Sequence, residues 1–258
     1  MSPTALHFTG ETHGWLLVDV GNAAGHAYVE LFRTTDGGAT WERIVDPFTP
    51  VGADLHVSSS ARSMMFADTQ TGVISIGESA YSSPRINWTR DGGTTWRSVP
   101  LAPPAAEPDL FEQAFCGAYW PRLFTDLSAA IVVECSNNDM TARYLYVTSD
   151  GGQTWEQFPY PGSGLLMLDP LVGFALRRDF YRTDDGGRTW TKVSTVPWDG
   201  QYSFMDEQYG WTVPWDGQYS FVGEQYGWAV ARSGDESALF RSSDGGRTWE
   251  QLEPAVGE

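Results

Sequence analysis

Five aspartates, Asp36, Asp91, Asp150, Asp185 and Asp244, occupy the same place in an octet of the form S/T-x-D-G-G-x-T-W. Its copies are TTDGGATW (34–41), TRDGGTTW (89–96), TSDGGQTW (148–155), TDDGGRTW (183–190) and SSDGGRTW (242–249). A carboxylate repeated in this way could hold calcium or act as an acid. All five share one local context, however, and there the simpler chemistry is local: the carboxylate accepts backbone N–H bonds from residues just downstream and stabilises a turn. The tryptophans that close the octets, Trp41, Trp96, Trp155, Trp190 and Trp249, read with Trp15, Trp211 and Trp228 as packing residues. Of the twelve tryptophans, that leaves Trp88, Trp120, Trp198 and Trp215. An exposed ring at these positions could stack a sugar or anchor a partner, and burial in the core is the alternative use of each. With Arg143 they form the set of binding candidates.

Other chemistries find little footing. The four histidines, His7, His13, His26 and His56, lack H-x-x-x-H or H-E-x-x-H spacing, and no G-x-S-x-G, Walker or dinucleotide glycine pattern occurs. No metal site and no cofactor are therefore expected. Cys116 and Cys135 flank a predicted hairpin centred near Asp126, which sets Cys135 opposite about residue 118 and within reach of a disulfide with Cys116. Such a bridge would favour an exported protein with a leader beyond these residues, because the first residues, MSPTALHFTGETHGW, lack the basic and apolar regions of a signal peptide. The compartment is left open.

The elements that position these residues follow from the repeats. Each octet lies between two short apolar or aromatic runs, and its Asp-Gly-Gly centre is turn chemistry, so each copy predicts a β-hairpin. Upstream of each lies a second pattern, HFTGETHGWLLV (7–18), MFADTQTGVISI (65–76), LFTDLSAAIVV (123–133), LMLDPLVGFAL (166–176) and SFVGEQYGWAV (220–230), which reads as strand, turn, strand. The octet tryptophan and an apolar residue three positions on, such as Trp96 and Val99, would face opposite sides of a regular strand, so both sheet faces are expected to be buried. Four short strands per unit, each sheet packed on a neighbour, predict an all-β fold, a β-propeller of four-stranded antiparallel blades, with a solenoid as the alternative. The blades fall at about 5–45, 57–100, 119–159, 164–194 and 218–253 within one domain, 1–258. The segment 195–211 repeats as 212–228 with fifteen of seventeen positions identical, which adds the material of a half blade. Five visible units fit a small closed propeller or part of a six- or seven-bladed one.

Composition supports a folded chain and excludes some partners. Of 258 residues, 41% are hydrophobic and 36 are aromatic, enough to bury a sizeable core. Sixteen Lys and Arg face 33 Asp and Glu, a net charge of -17 whose field repels a phosphate backbone, so nucleic acid is not expected as a partner. No apolar run approaches the roughly 18–20 residues of a membrane span.

The octet resembles the Asp-box, or bacterial neuraminidase repeat, of sialidases, sortilin-type receptors and some glucanases. Its pairing with an upstream F-x-x-x-x-x-G-W element is most similar to the photosystem II stability and assembly factor group of bacterial propellers. This resemblance covers nearly the whole chain. It implies that the boxes sit on the hairpin of the third and fourth strands, away from a ligand face built by connections between blades and between second and third strands. Those connections, roughly 45–58, 100–118, 159–163 and 194–203 with 19–28, 77–86, 136–143 and 231–238, hold Asp54, His56, Glu78, Tyr81, Arg85, Asp109, Glu112, Asp139, Arg143, Asp235 and Glu236. The longest, 100–118, is Pro-rich and then carries Leu110, Phe111 and Phe115, which would either cap the channel or meet a protein.

The resemblance offers two functions. A sialidase-like enzyme would need three arginines, a tyrosine nucleophile activated by glutamate and an aspartate acid/base. The F-R-I-P-like motif of such enzymes is missing, its nearest match being PRI at 84–86, and Glu78, Tyr81 and Arg85 are the weak catalytic candidates. A glucanase-like mechanism needs only two carboxylates about 5–9.5 Å apart, which 33 acids leave open. The assembly-factor resemblance implies an arginine-rich docking surface, but here Arg33, Arg182 and Arg241 recur beside the turn and read as partners of cross-strand acids. The expected function is a non-catalytic binding or assembly scaffold that recognises a protein or carbohydrate through loops on one face, with a glycoside hydrolase as the alternative.

Overall fold

The computed structural model describes residues 2–23, 26–46, 61–76, 79–80, 83–125, 127–176, 179–195, 218–222, 226–233, 236–244 and 247–252. The chain forms two compact units, Met1–Pro159 and Tyr160–Glu258. In the first unit, β1 (Ser2–Phe8), β2 (Gly14–Ala23), β3 (His26–Thr34) and β4 (Glu42–Val45) pair antiparallel in sequence order. The second blade repeats this order with β5 (Ala61–Phe66), β6 (Gly72–Ile76), β8 (Arg85–Thr89) and β9 (Arg97–Pro100), and the two-residue β7 (Ser79–Ala80) lies in its β6–β8 connection. After a single helical turn, α1 (Leu110–Gln113), come β10 (Phe115–Leu123), β11 (Ala129–Ser136), β12 (Thr141–Thr148) and β13 (Glu156–Pro159). This third sheet has five strands, because β7 leaves its own blade to pair with the start of β10, Phe115 opposite Ala80 and Cys116 opposite Ser79.

The second unit holds two more four-stranded meanders. One is β14 (Gly164–Met167), β15 (Gly173–Leu176), β16 (Asp179–Thr183) and β17 (Thr191–Thr195), and the other is β18 (Gln218–Val222), β19 (Tyr226–Ser233), β20 (Glu236–Ser242) and β21 (Glu250–Leu252). The fold is an all-β propeller of four-stranded antiparallel blades, as the repeats predict. Apart from Thr195, which ends β17, the duplicated 195–211 segment lies outside the described residues.

Burial on both sheet faces makes these short strands stable, since a lone meander leaves one face in water. Between the first and second blades, Trp15, Leu17 and Leu31 pack with Phe66, Ile74 and Trp96. Trp15 stacks on Phe66 with ring centroids 3.7 Å apart, and its Nε1 donates to the Gly92 carbonyl at 2.9 Å. The second and third blades enclose Ile86, Trp88, Leu123, Ile131, Val133 and Tyr146. Along β11, Ala130 and Val132 are as fully buried as Ile131 and Val133 on the opposite face. The upstream motif has a steric basis: Phe66 pairs with Gly72 across the first hairpin, and a Cβ on Gly72 would lie 2.5 Å from the Phe66 ring.

Candidate ligand face

The two ends of the blades do different work. At one end the octets form near-identical turns. In the second blade, Thr89 Oγ1 donates to Asp91 Oδ1 (2.8 Å) and accepts from Gly93 N (2.9 Å), while Thr95 donates its N–H to Asp91 Oδ1 (2.8 Å) and its hydroxyl to Oδ2 (2.6 Å). The same donors reach Asp36, Asp150, Asp185 and Asp244. Gly92 and Gly93 have φ of 69° and 92°, a region that costs most residues about 1 kcal/mol or more but not glycine. Four of the five turns are each tied to the upstream hairpin of their blade by an N–H to carbonyl bond: Gly37 to Thr12, Gly92 to Gln70, Gly151 to Leu127 and Gly186 to Leu171. The hydroxyl and N–H of Thr40, with the hydroxyl of Thr34, hold the Asp36 carboxyl down at about 2. For Asp91, desolvation opposes ionisation but the bonds from Thr95 and Thr89 outweigh it, so its pKa is also lowered. These carboxylates are turn fasteners with both oxygens engaged.

The arginines beside the turns also have local partners. Arg33 bonds Glu42 across the β3–β4 pair at 3.0 Å, and Arg182 bonds Asp184 at 2.6 Å.

The opposite end is best described in the third blade. The segment 101–114 crosses its surface as a strap held at several points. Leu101, Leu110, Phe111 and Ala114 are buried in the core that the second and third blades share. Leu101 N–H donates to the Pro84 carbonyl (2.8 Å), Tyr146 Oη to the Ala102 carbonyl (2.8 Å) and Tyr144 Oη to Glu107 Oε1 (2.6 Å). Burial pushes the Tyr144 hydroxyl up to about 12, and the bond to Glu107 and its charge add to the shift. Through this bond the phenol ties the strap to β12. The β11–β12 turn joins the same assembly: Asn137 Nδ2 donates to the Gln113 carbonyl (3.1 Å), and Asn137 Oδ1 accepts from the N–H groups of Asp139 and Met140. Cys116 and Cys135 face each other across β10 and β11, are fully buried and are joined by a disulfide of 2.04 Å.

The residues singled out from the sequence fall into three groups. Glu78, Tyr81, Trp198, Trp215, Asp54, His56 and Asp235 lie outside the described residues. Arg85 and Arg143 have structural partners: Arg85 Nε donates to Ser98 Oγ at 2.9 Å, and Arg143 pairs with Glu134 on the neighbouring strand. Trp88 is buried, packed 6.4 Å from the Trp155 ring, so it presents no face to a ligand. Trp120 is half-buried at a bulge in β10, with φ of 51°, the one non-glycine at positive φ among the described residues. Asp109, Glu112 and Asp139 are exposed at this end of the third blade. Leu110 and Phe111 fill the core, whereas Phe115 stays 41% exposed and Met140 37%. Sequence reasoning passed over Tyr144, Tyr146, Glu107 and Met140. The available signal was the alternation of Tyr144 and Tyr146, which puts both on one face of β12. Among the described residues, no group of three His, Cys, Asp or Glu side chains is arranged to hold a metal ion, and no helix is long and apolar enough to cross a membrane.

With this geometry in view, comparison with known proteins places the chain. The BNR/Asp-box repeat family model matches residues 146–157 and 181–192, two of the five octets with two residues on either side of each. Those two stretches are similar to the Asp-box repeat. No curated protein matches it. Among solved structures, YCF48 bound to D1 peptide is similar over 97% of this chain and 82% of that one, with a TM-score of 0.53 at 18% identity. The GH74 xyloglucanase from Xanthomonas campestris matches over 98% of this chain but only 38% of its own length, with a TM-score of 0.52 at 14% identity. A PL25 ulvan lyase matches over 98% of this chain and 69% of its own, with a TM-score of 0.54 at 11% identity. At these identities the likeness is one of fold.

Proposed function

We propose that this protein is a non-catalytic binding or assembly scaffold that presents inter-strand loops at one end of its blades to a protein or a carbohydrate. The observation that carries this reading is the third-blade face. There the strap and the β11–β12 turn are fixed by Tyr144, Tyr146 and Asn137, while Phe115 and Met140 remain exposed beside them. A prefixed surface with exposed apolar side chains suits recognition, because little ordering entropy opposes binding. Tyr144 is buried beneath the strap that it ties to β12, and Arg85 bonds Ser98, so both serve the fixed surface. The peptide held by YCF48 in its structure is compatible with such a role, and the xyloglucanase and lyase neighbours keep the carbohydrate arm open. The disulfide supports a working place outside the reducing cytosol.

The decisive experiment is hydrolysis of a fluorogenic glycoside panel, sialic acid substrate included, by protein shown to be monodisperse. Silence across the panel is expected. Turnover that disappears when a loop carboxylate is replaced would overturn the scaffold reading in favour of a glycoside hydrolase.

A further inference from the structure

Resting on the scaffold reading, we infer that the third-blade face, built on Phe115 and Met140 and edged by Asp109, Glu112 and Asp139, docks a cationic segment of a partner protein that also supplies an apolar side chain. Three observations on this face point to the same partner chemistry. Phe115 and Met140 are large apolar side chains, 41% and 37% exposed, on neighbouring parts of one assembly. Phe115 opens β10 directly after the strap, and the turn that bears Met140 is bonded to the strap through Asn137 and the Gln113 carbonyl. An exposed ring and a flexible thioether offer apolar contacts that adapt to an occupant.

Charge is the second observation. Residues 101–114 and 134–143 contain five acids, Glu107, Asp109, Glu112, Glu134 and Asp139, against one base, Arg143. Arg143 is paired with Glu134, and Glu107 accepts from Tyr144. Asp109, Glu112 and Asp139 are left as exposed carboxylates, and Asp109 does not cap α1 with its side chain. A neutral glycan could offer them hydroxyl hydrogen bonds alone, whereas lysine or arginine adds the attraction of opposite charge.

The third observation is that the same charge argues against the other occupants. A chain of net charge -17 repels a second copy of itself, an anionic lipid surface and a nucleic acid alike. Because the strap is tied down before a partner arrives, the face selects a segment that fits it and does not mould itself to one.

The test is fluorescence anisotropy of labelled peptides titrated with the full chain at low and physiological ionic strength. The probes are a peptide of alternating lysine and leucine, its glutamate–leucine counterpart and its lysine–serine counterpart, with labelled neutral oligosaccharides in parallel. The lysine–leucine peptide should bind, more weakly as salt rises, while the glutamate–leucine peptide should not bind. The lysine–serine peptide should bind at least about tenfold more weakly than the lysine–leucine one. Replacing Asp109→Asn, Glu112→Gln and Asp139→Asn together should weaken lysine–leucine binding about tenfold or more, and Met140→Ser with Phe115→Ser should do the same. Each variant must keep the parent melting temperature, and Met140→Ser alone, on an exposed turn, serves if the Phe115 change disturbs the sheet. Lysine–leucine binding unchanged in these variants would show general attraction to an acidic chain and overturn the inference. Oligosaccharide binding with no peptide binding would overturn it too, yet leave the scaffold reading standing. Glycoside turnover would instead remove the scaffold reading, whatever the peptides do.

Discussion

Asp36 uses both carboxylate oxygens inside its own turn, accepting the Thr40 hydroxyl at 2.6 Å and the Thr40 N–H at 2.9 Å. Its folded pKa of about 2 lies below the ordinary 3.8, so the unfolded chain takes up this proton first as the solution is acidified. The stability it contributes is present above about pH 3.8 and is lost as pH falls towards 2. Replacing Asp36 by Asn should flatten this acid limb in urea titrations run at a series of pH values. His7 acts in a higher window. Its Nε2 bonds the Phe66 carbonyl at 2.9 Å and joins the first two blades. Burial lowers its pKa below 6.5; the Phe66 bond partly opposes this, and the positive charge of Arg122 adds to it. Stability from this site is therefore full above about pH 6.5 and falls as pH drops below it, because the unfolded imidazole protonates more readily. The variant His7→Gln should remove that slope, and a melting-temperature profile across mildly acidic pH would show whether it does.

At the scale of the element, the first hairpin of each blade depends on size matching across the pair. Phe8 faces Gly14, Phe66 faces Gly72 and Met167 faces Gly173, whereas the smaller demand of Leu123 is met by Ala129. Gly72→Ala would drive a methyl into the Phe66 ring, which also stacks on Trp15, and should cost about 1–3 kcal/mol in denaturant unfolding. Hairpins of this kind were legible from the chain alone, because turn glycines, box aspartates and apolar runs act through local geometry. The strap was less so. Leu110 and Phe111 look alike in sequence whether they greet a partner or fill a gap between blades, and what decides is the neighbouring sheet. Trp88 was ambiguous for the same reason, its burial depending on Trp155 in the next blade. The tethering role of Tyr144 needs Glu107, 37 residues away, and nothing in the local pattern pairs them.

For the whole molecule, the dominant quantity is charge. A net charge of -17 repels itself more in the compact state than in the unfolded one. Raising ionic strength from about 0.01 M to about 0.15 M shortens the screening length from roughly 30 Å to 8 Å and should raise the melting temperature, a shift read by calorimetry. A fall instead would mean that local pairs such as Arg43–Glu30 and Arg33–Glu42 outweigh the general repulsion. The repeats themselves suggest a lineage of copied blades, but β7 sets a limit on how freely such copies can be exchanged. A crossover placed between the second and third blades would carry β7 away from the β10 edge it pairs with, and would part the strap from Pro84. In a history of gene duplication, the second and third blades are therefore expected to travel as one inherited pair, with viable recombination joints falling on either side of it.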